Sequence, residues 1–169
     1  MAGGKTIGKS LNYGFAGSFA RTPDCITVTR PNTSGANILL GTALMYDATG
    51  GVVPSDATLT PENFVGIASR ETKTMLNYLD QSSGMEYPPN DAVSVFQRGS
   101  ISMICTVGTP IVGGAVYVRT VVAIPGQNIG DFEAVADGTN SLQLTNAQWG
   151  GGKDANGVCE LVLLTHNNA

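Results

Sequence analysis

Val93 and Val95 alternate with Ser94 and Phe96, and Ile101, Met103, Cys105 and Val107 alternate with Ser102, Ile104 and Thr106, within residues 92–118. Period two over residues rich in Val, Ile and Thr predicts strands. The stretch breaks at Arg98-Gly99-Ser100 and again from Gly108-Thr109-Pro110 through Gly113-Gly114. Glycine supplies the positive φ of turns and proline cannot pair in a central ladder, so three short strands in meander order are predicted, the last carrying Val116 and Val118. One-sided alternation suits an antiparallel sheet with one face on a core and the other towards water or a partner.

The same pattern recurs more weakly elsewhere. Residues 25–30, 131–136 and 158–164 read as strands, residues 37–46 as a strand pair or a bulged strand with Gly41 inside it, and Val52 and Val53 begin another. Thr60-Pro61-Glu62-Asn63 has the chemistry of a helix start, but Phe64-Val65-Gly66-Ile67-Ala68 at once turns β-like, so a single turn is expected. Residues 72–81 suit helix or strand, because Met75, Leu76 and Leu79 would share a helical face, and residues 142–149 have no decisive period. The predicted fold class is therefore all-β, a small antiparallel β-sandwich or barrel.

Residues 1–22 sustain no period. Each glycine at 3, 4, 8, 14 and 17 would weaken a helix by about 1 kcal/mol relative to alanine. The expectation is an extended Gly-rich N-terminal arm, followed by a single β domain over residues 23–169. Tyr13, Phe15 and Phe19 share parity and would point to one side of an extended arm, against this protein's own core or into a neighbouring subunit.

Composition narrows the function classes. Of 169 residues, 13% are charged and 22 are glycine, against a usual charged fraction of about 25% and glycine of about 7%. Such a surface suits many turns and burial in an assembly. Lys5, Lys9, Arg21 and Arg30 oppose only Asp24 in the first 30 residues, whereas the remainder holds five basic and twelve acidic residues. A basic arm thus precedes an acidic body, and a pI near 4.7 argues against nucleic acid. No apolar run approaches a membrane span, so no membrane contact is expected.

Candidate chemistry is sparse. Residues 3–10, GGKTIGKS, satisfy the spacing of a phosphate-cradling loop, but no strand precedes them and a glycine-rich stretch follows, so nucleotide binding is not expected. Asp47 reads better as the first residue of a turn than as that loop's acidic partner. His166 is the sole histidine, which excludes a multi-histidine metal site. Asp131 and Glu133 would share a strand face and are expected to be solvated. Trp149, beside a triple glycine, reads as a core plug rather than a sugar platform. Cys25, Cys105 and Cys159 are odd in number and lack a CxxC spacing, and buried free thiols are expected in a reducing compartment. No catalytic residue, metal ligand or cofactor is predicted.

The order of several motifs carries more than any one of them. Gly41-Thr42-Ala43-Leu44, Asn63-Phe64-Val65-Gly66-Ile67-Ala68-Ser69-Arg70, Asp91-Ala92-Val93-Ser94-Val95, Arg98-Gly99-Ser100-Ile101, Gly113-Gly114-Ala115-Val116-Tyr117-Val118 and Asn146-Ala147-Gln148-Trp149, followed by residues 158–164, resemble the capsid cement (head decoration) proteins of tailed bacteriophages. The resemblance covers residues 36–164 and is least at 72–89 and before residue 22. It implies a non-enzymatic virion protein that binds the outer capsid surface, stabilises contacts between major capsid protein subunits, and is a homo-oligomer, favoured as a trimer, assembled in the host cytoplasm. Under that reading Lys5, Lys9, Tyr13, Phe15, Phe19 and Arg21 are the candidate capsid-binding residues. A tail or fibre module and a carbohydrate-binding β domain remain the alternatives.

Overall fold

The computed structural model describes residues 16–18, 20, 24–70, 86–122 and 125–165. Segment 72–81, His166 and the phosphate-loop-like residues 3–10 lie outside them. The described residues form strands and turns without a helix, as the sequence predicts.

The organising element is β7, Ala92–Val107, a single strand of 16 residues. No turn forms at Arg98-Gly99-Ser100, contrary to the predicted break. Instead the register against β1, Ile26–Pro31, slips there: Ile26 faces Arg98 while Thr27 faces Phe96. The extra residue is a β-bulge, and it reverses side-chain parity. Before it, Val93 and Val95 face one core cluster while Phe96 joins the other; beyond it, Ile101, Met103 and Cys105 face the cluster that Phe96 entered. The glycine expected to turn the chain bends it and lets it continue.

The second half of β7 belongs to a closed barrel of five strands. Its other members are β8 (Ala115–Arg119), β9 (Phe132–Glu133), β10 (Ser141–Trp149) and β11 (Val158–Leu163). The order runs β7, β9, β8, β10, β11, and β11 returns to β7 through pairs from Val158↔Ile104 to Leu163↔Gly99. The expected meander is therefore corrected: β9 lies between β7 and β8, parallel to the former and antiparallel to the latter. Residues 142–149, ambiguous in sequence, form most of β10. Their outer neighbours on β8 and β11 decide the matter, since a strand with partners on both edges satisfies its backbone whatever its own periodicity. Trp149 fills the barrel interior at 0% exposure with Phe132, Leu144 and Leu161 around it.

The first half of β7 anchors a second sheet. One edge takes β1, and the other takes β5 (Phe64–Ala68), followed by β3 (Ala43–Tyr46) and β4 (Val52–Pro54). A parallel bridge from Asn32 to Val52 brings the chain after β1 back to β4. Buried Asn32 ties this corner together: its side-chain amide donates to the carbonyls of Ala36 and Tyr87, and its oxygen accepts from Ser34. A short pair, β2 (Ile38–Leu39) and β6 (Glu86–Tyr87), caps the same side, with the Tyr87 hydroxyl donating to Ser69 O at 2.6 Å. The single turn expected at residues 60–63 is present, with Thr60 N donating to the Asn63 side chain before β5 begins.

The described end of the arm touches the sheet. Gly17 N donates to Ser102 O, Ser102 N to Ser18 O, and Ala20 N to Ser100 O, so this segment runs antiparallel along the β7 edge opposite β11.

Candidate functional site

Where that segment meets the body, a cavity of about 410 Å³ opens between barrel and second sheet. Leu39, Leu40, Met103, Ile104, Ile129 and Phe132 give it an apolar lining, and Ala16 contributes from the arm. Met103 and Phe132 are buried core residues that form its floor, while Leu39 and Ile104 are 62% and 45% exposed. Ile104 is the legible signal for this groove, because it is an apolar residue at one of the outward positions of an alternating strand. Leu39 carries no such mark.

A second apolar surface lies at the end of the barrel. Ile111 and Val112, in the loop between β7 and β8, are 66% and 79% exposed. Gly114 N donates to Ile111 O and Gly113 N to Trp149 O, which pins the loop across the barrel mouth. Val135, also exposed, belongs to the same end, since an added Cβ on Gly108 would meet its side chain. Several exposed apolar residues are thus gathered on and beside a backbone-bonded loop at this end.

Two of the carboxylates singled out in the sequence, Glu133 and Asp47, are held in structural bonds. Glu133 is fully buried, which corrects the expectation of a solvated residue. Arg119, 1% exposed on β8, explains it: Nε donates to Glu133 Oε1 at 2.5 Å and Nη2 to Oε2 at 3.1 Å. Arg119 Nη1 also reaches Asp137 at 2.9 Å and the carbonyl of Val121 at 3.2 Å. The Glu133 hydrogen bond, working against burial, raises the Arg119 pKa further. A two-pronged pair of this kind fixes β8 against β9 and occupies both oxygens of Glu133. Asp131 instead accepts from Asn128 N at the wall of the groove.

Asp47 opens a turn, as expected. Its carboxylate accepts from Thr49 N, Thr49 Oγ1 and Gly51 N, and hydrogen bonds from Thr33 and Thr49 hold its pKa down at about 2. Trp149 is a core residue, and Cys105 and Cys159 are buried free thiols, each as the sequence suggested; Cys25 is free and half-buried. The six candidate contact residues, Lys5, Lys9, Tyr13, Phe15, Phe19 and Arg21, lie outside the described residues.

Comparison with known proteins follows the same line. A family model described as "Structural cement protein (E217 gp24/Pam3 gp6)" matches residues 4–164. Among solved structures, a chain from "The capsid of Myoviridae Phage XM1" superposes with a TM-score of 0.70 at 16% identity, over 96% of this chain and 98% of that one. At that identity the likeness concerns the fold. No curated protein matches.

Proposed function

This chain belongs to the structural cement protein family of phages, and from that membership we propose that it binds the outer surface of the capsid and stabilises contacts between neighbouring major capsid protein subunits. The family match across residues 4–164 carries the reading. The architecture supports it: exposed apolar groups stand on backbone-bonded elements, and Ala16, which follows Lys5 and Lys9 in the sequence, lines an apolar groove of an acidic body. The role is non-enzymatic and belongs to the virion, with assembly in the host cytoplasm. A homo-oligomer, favoured as a trimer, would present several arms at once, and avidity would then hold it on the capsid without any one strong contact.

On the particle, Lys5, Lys9 and Arg21 are the proposed electrostatic contacts, with Tyr13, Phe15 and Phe19 as the apolar ones. Co-sedimentation with expanded capsids lacking the protein tests the whole proposal. Saturation at a fixed ratio to capsid protein, with raised heat resistance of the particle, is the expected result. Absence of saturable binding would reject it in favour of a tail or fibre position. The truncation that isolates the arm stops at residue 15, because Gly17, Ser18 and Ala20 are bonded to β7.

A further inference from the structure

Two of the three free cysteines meet inside the barrel. Cys105 is on β7 and Cys159 on β11, adjacent antiparallel strands that close the barrel. Cys159 lies opposite Met103, and Cys105 N donates to Gly157 O, so the two cysteines are diagonal neighbours two positions apart along β7. Both side chains point to the inner face, where they join the same core cluster at 3% and 0% exposure. Inward side chains of a small barrel converge, and the Cys159 thiol, whose Sγ stands 3.5 Å from Met103 O, is close enough to the Cys105 thiol for each to perturb the other.

We propose that Cys105 and Cys159 are an oxidation site, forming a disulfide that staples β7 to β11 when the protein meets a small peroxide. The Cys105 thiolate attacks one peroxide oxygen, breaking the O–O bond; this gives a sulfenic acid on Cys105 and releases hydroxide. The Cys159 sulfur then displaces the sulfenic oxygen, which leaves as water once the Cys159 proton is counted. Per hydrogen peroxide, two thiols are oxidised by one electron each and two waters form.

The surroundings suit this division of roles. The neighbouring Cys159 thiol, and to a smaller degree the charge of Lys153, bring the Cys105 pKa down to about 7 against its burial. The Cys105 thiol and burial push Cys159 up, so it holds its proton until the second step. Cys105 also lies next to the barrel mouth, with its Sγ 3.3 Å from Val107 O at the start of the glycine-rich loop. A small oxidant therefore needs only a local opening at that end. Cys25 is excluded as a partner by position, since it precedes β1, where its neighbours across the chain are Arg98 and Gly99. On the capsid proposed above, the staple would form once the particle leaves a reducing cytoplasm.

The test uses the full-length protein with millimolar hydrogen peroxide, catalase quenching and thiol titration in denaturant. Free thiols should fall from three to one, with the monomer losing the mass of two hydrogens and peptide mapping joining the segments of Cys105 and Cys159. The oxidised monomer should melt about 8 °C higher. Cys105→Ser and Cys159→Ser should each abolish the cross-link, and Cys25→Ser should leave it intact. The rate should rise with pH through about 7. Three surviving thiols, a bond to Cys25, or Cys105 oxidised beyond sulfenic acid without cross-linking would each overturn the assignment. Because no capsid is present, these outcomes are independent of whether the protein binds one.

Discussion

An added Cβ at Gly99 would lie 2.2 Å from the carbonyl oxygen of Asp24, and φ there is +111°. Both facts forbid a side chain, the first by contact with backbone and the second by strain. Gly99→Ala should therefore lower stability by about 3 kcal/mol, read as a fall in denaturation midpoint. An unchanged midpoint would mean that the bulge can relax. Glu133→Gln tests a different residue-level force. It leaves the Arg119 charge buried with only Asp137 to balance it, and loss of a buried partner costs about 3 kcal/mol. Asp47 gives the pH counterpart. Its pKa lies at about 2, below the ordinary value of 3.8, so its bonds to Thr49 and Gly51 are complete above pH 4 and lost as pH falls through 2. The amide resonances of Thr49 and Gly51 should titrate with that midpoint, and Asp47→Asn should remove the transition.

At the scale of elements, β7 belongs to the barrel and the second sheet at once, and this sets how the molecule unfolds. Trp149 reports the barrel interior and Tyr87 the second core. Denaturation followed by Trp149 fluorescence and by Tyr87 side-chain resonances should give coincident transitions, because neither half keeps its central strand when the other opens. Separate midpoints would show two independent units. The strand content of this arrangement was legible in the sequence, since Val93, Val95, Ile101, Met103 and Cys105 carry period two. The bulge was not, because Arg98-Gly99-Ser100 has the composition of a turn, and only the Asp24 and Ile26 backbones pressed against it decide between turning and continuing. The parallel position of β9 was equally hidden, as two residues, Phe132 and Glu133, hold no periodicity. Glu133 shows the limit most plainly: its partner Arg119 is 14 positions away, so a buried pair reads in sequence as two scattered charges. Ile104 was visible as an apolar residue out of place, whereas Leu39 enters the groove only through the β2–β6 pairing.

The whole molecule divides by charge, and the division makes the arm testable separately from the fold. Lys5, Lys9 and Arg21 precede a body in which acidic residues predominate. A contact made by such an arm on a partner surface is exposed, long-range and screened, whereas a contact made by Leu39, Ile104, Ile111 or Val112 depends on buried area. Ionic strength therefore separates the two. The double substitution of Lys5 and Lys9 to alanine should weaken capsid binding about five-fold at low salt and have little effect at high salt. Val112→Asp should weaken binding at both. The fold should survive all of these changes, because Lys5 and Lys9 precede Gly17, the first described residue bonded to β7, and Val112 is 79% exposed. If the lysine substitutions weaken binding equally at every salt concentration, the arm acts through shape rather than charge. The apolar residues Tyr13, Phe15 and Phe19 then become its contact.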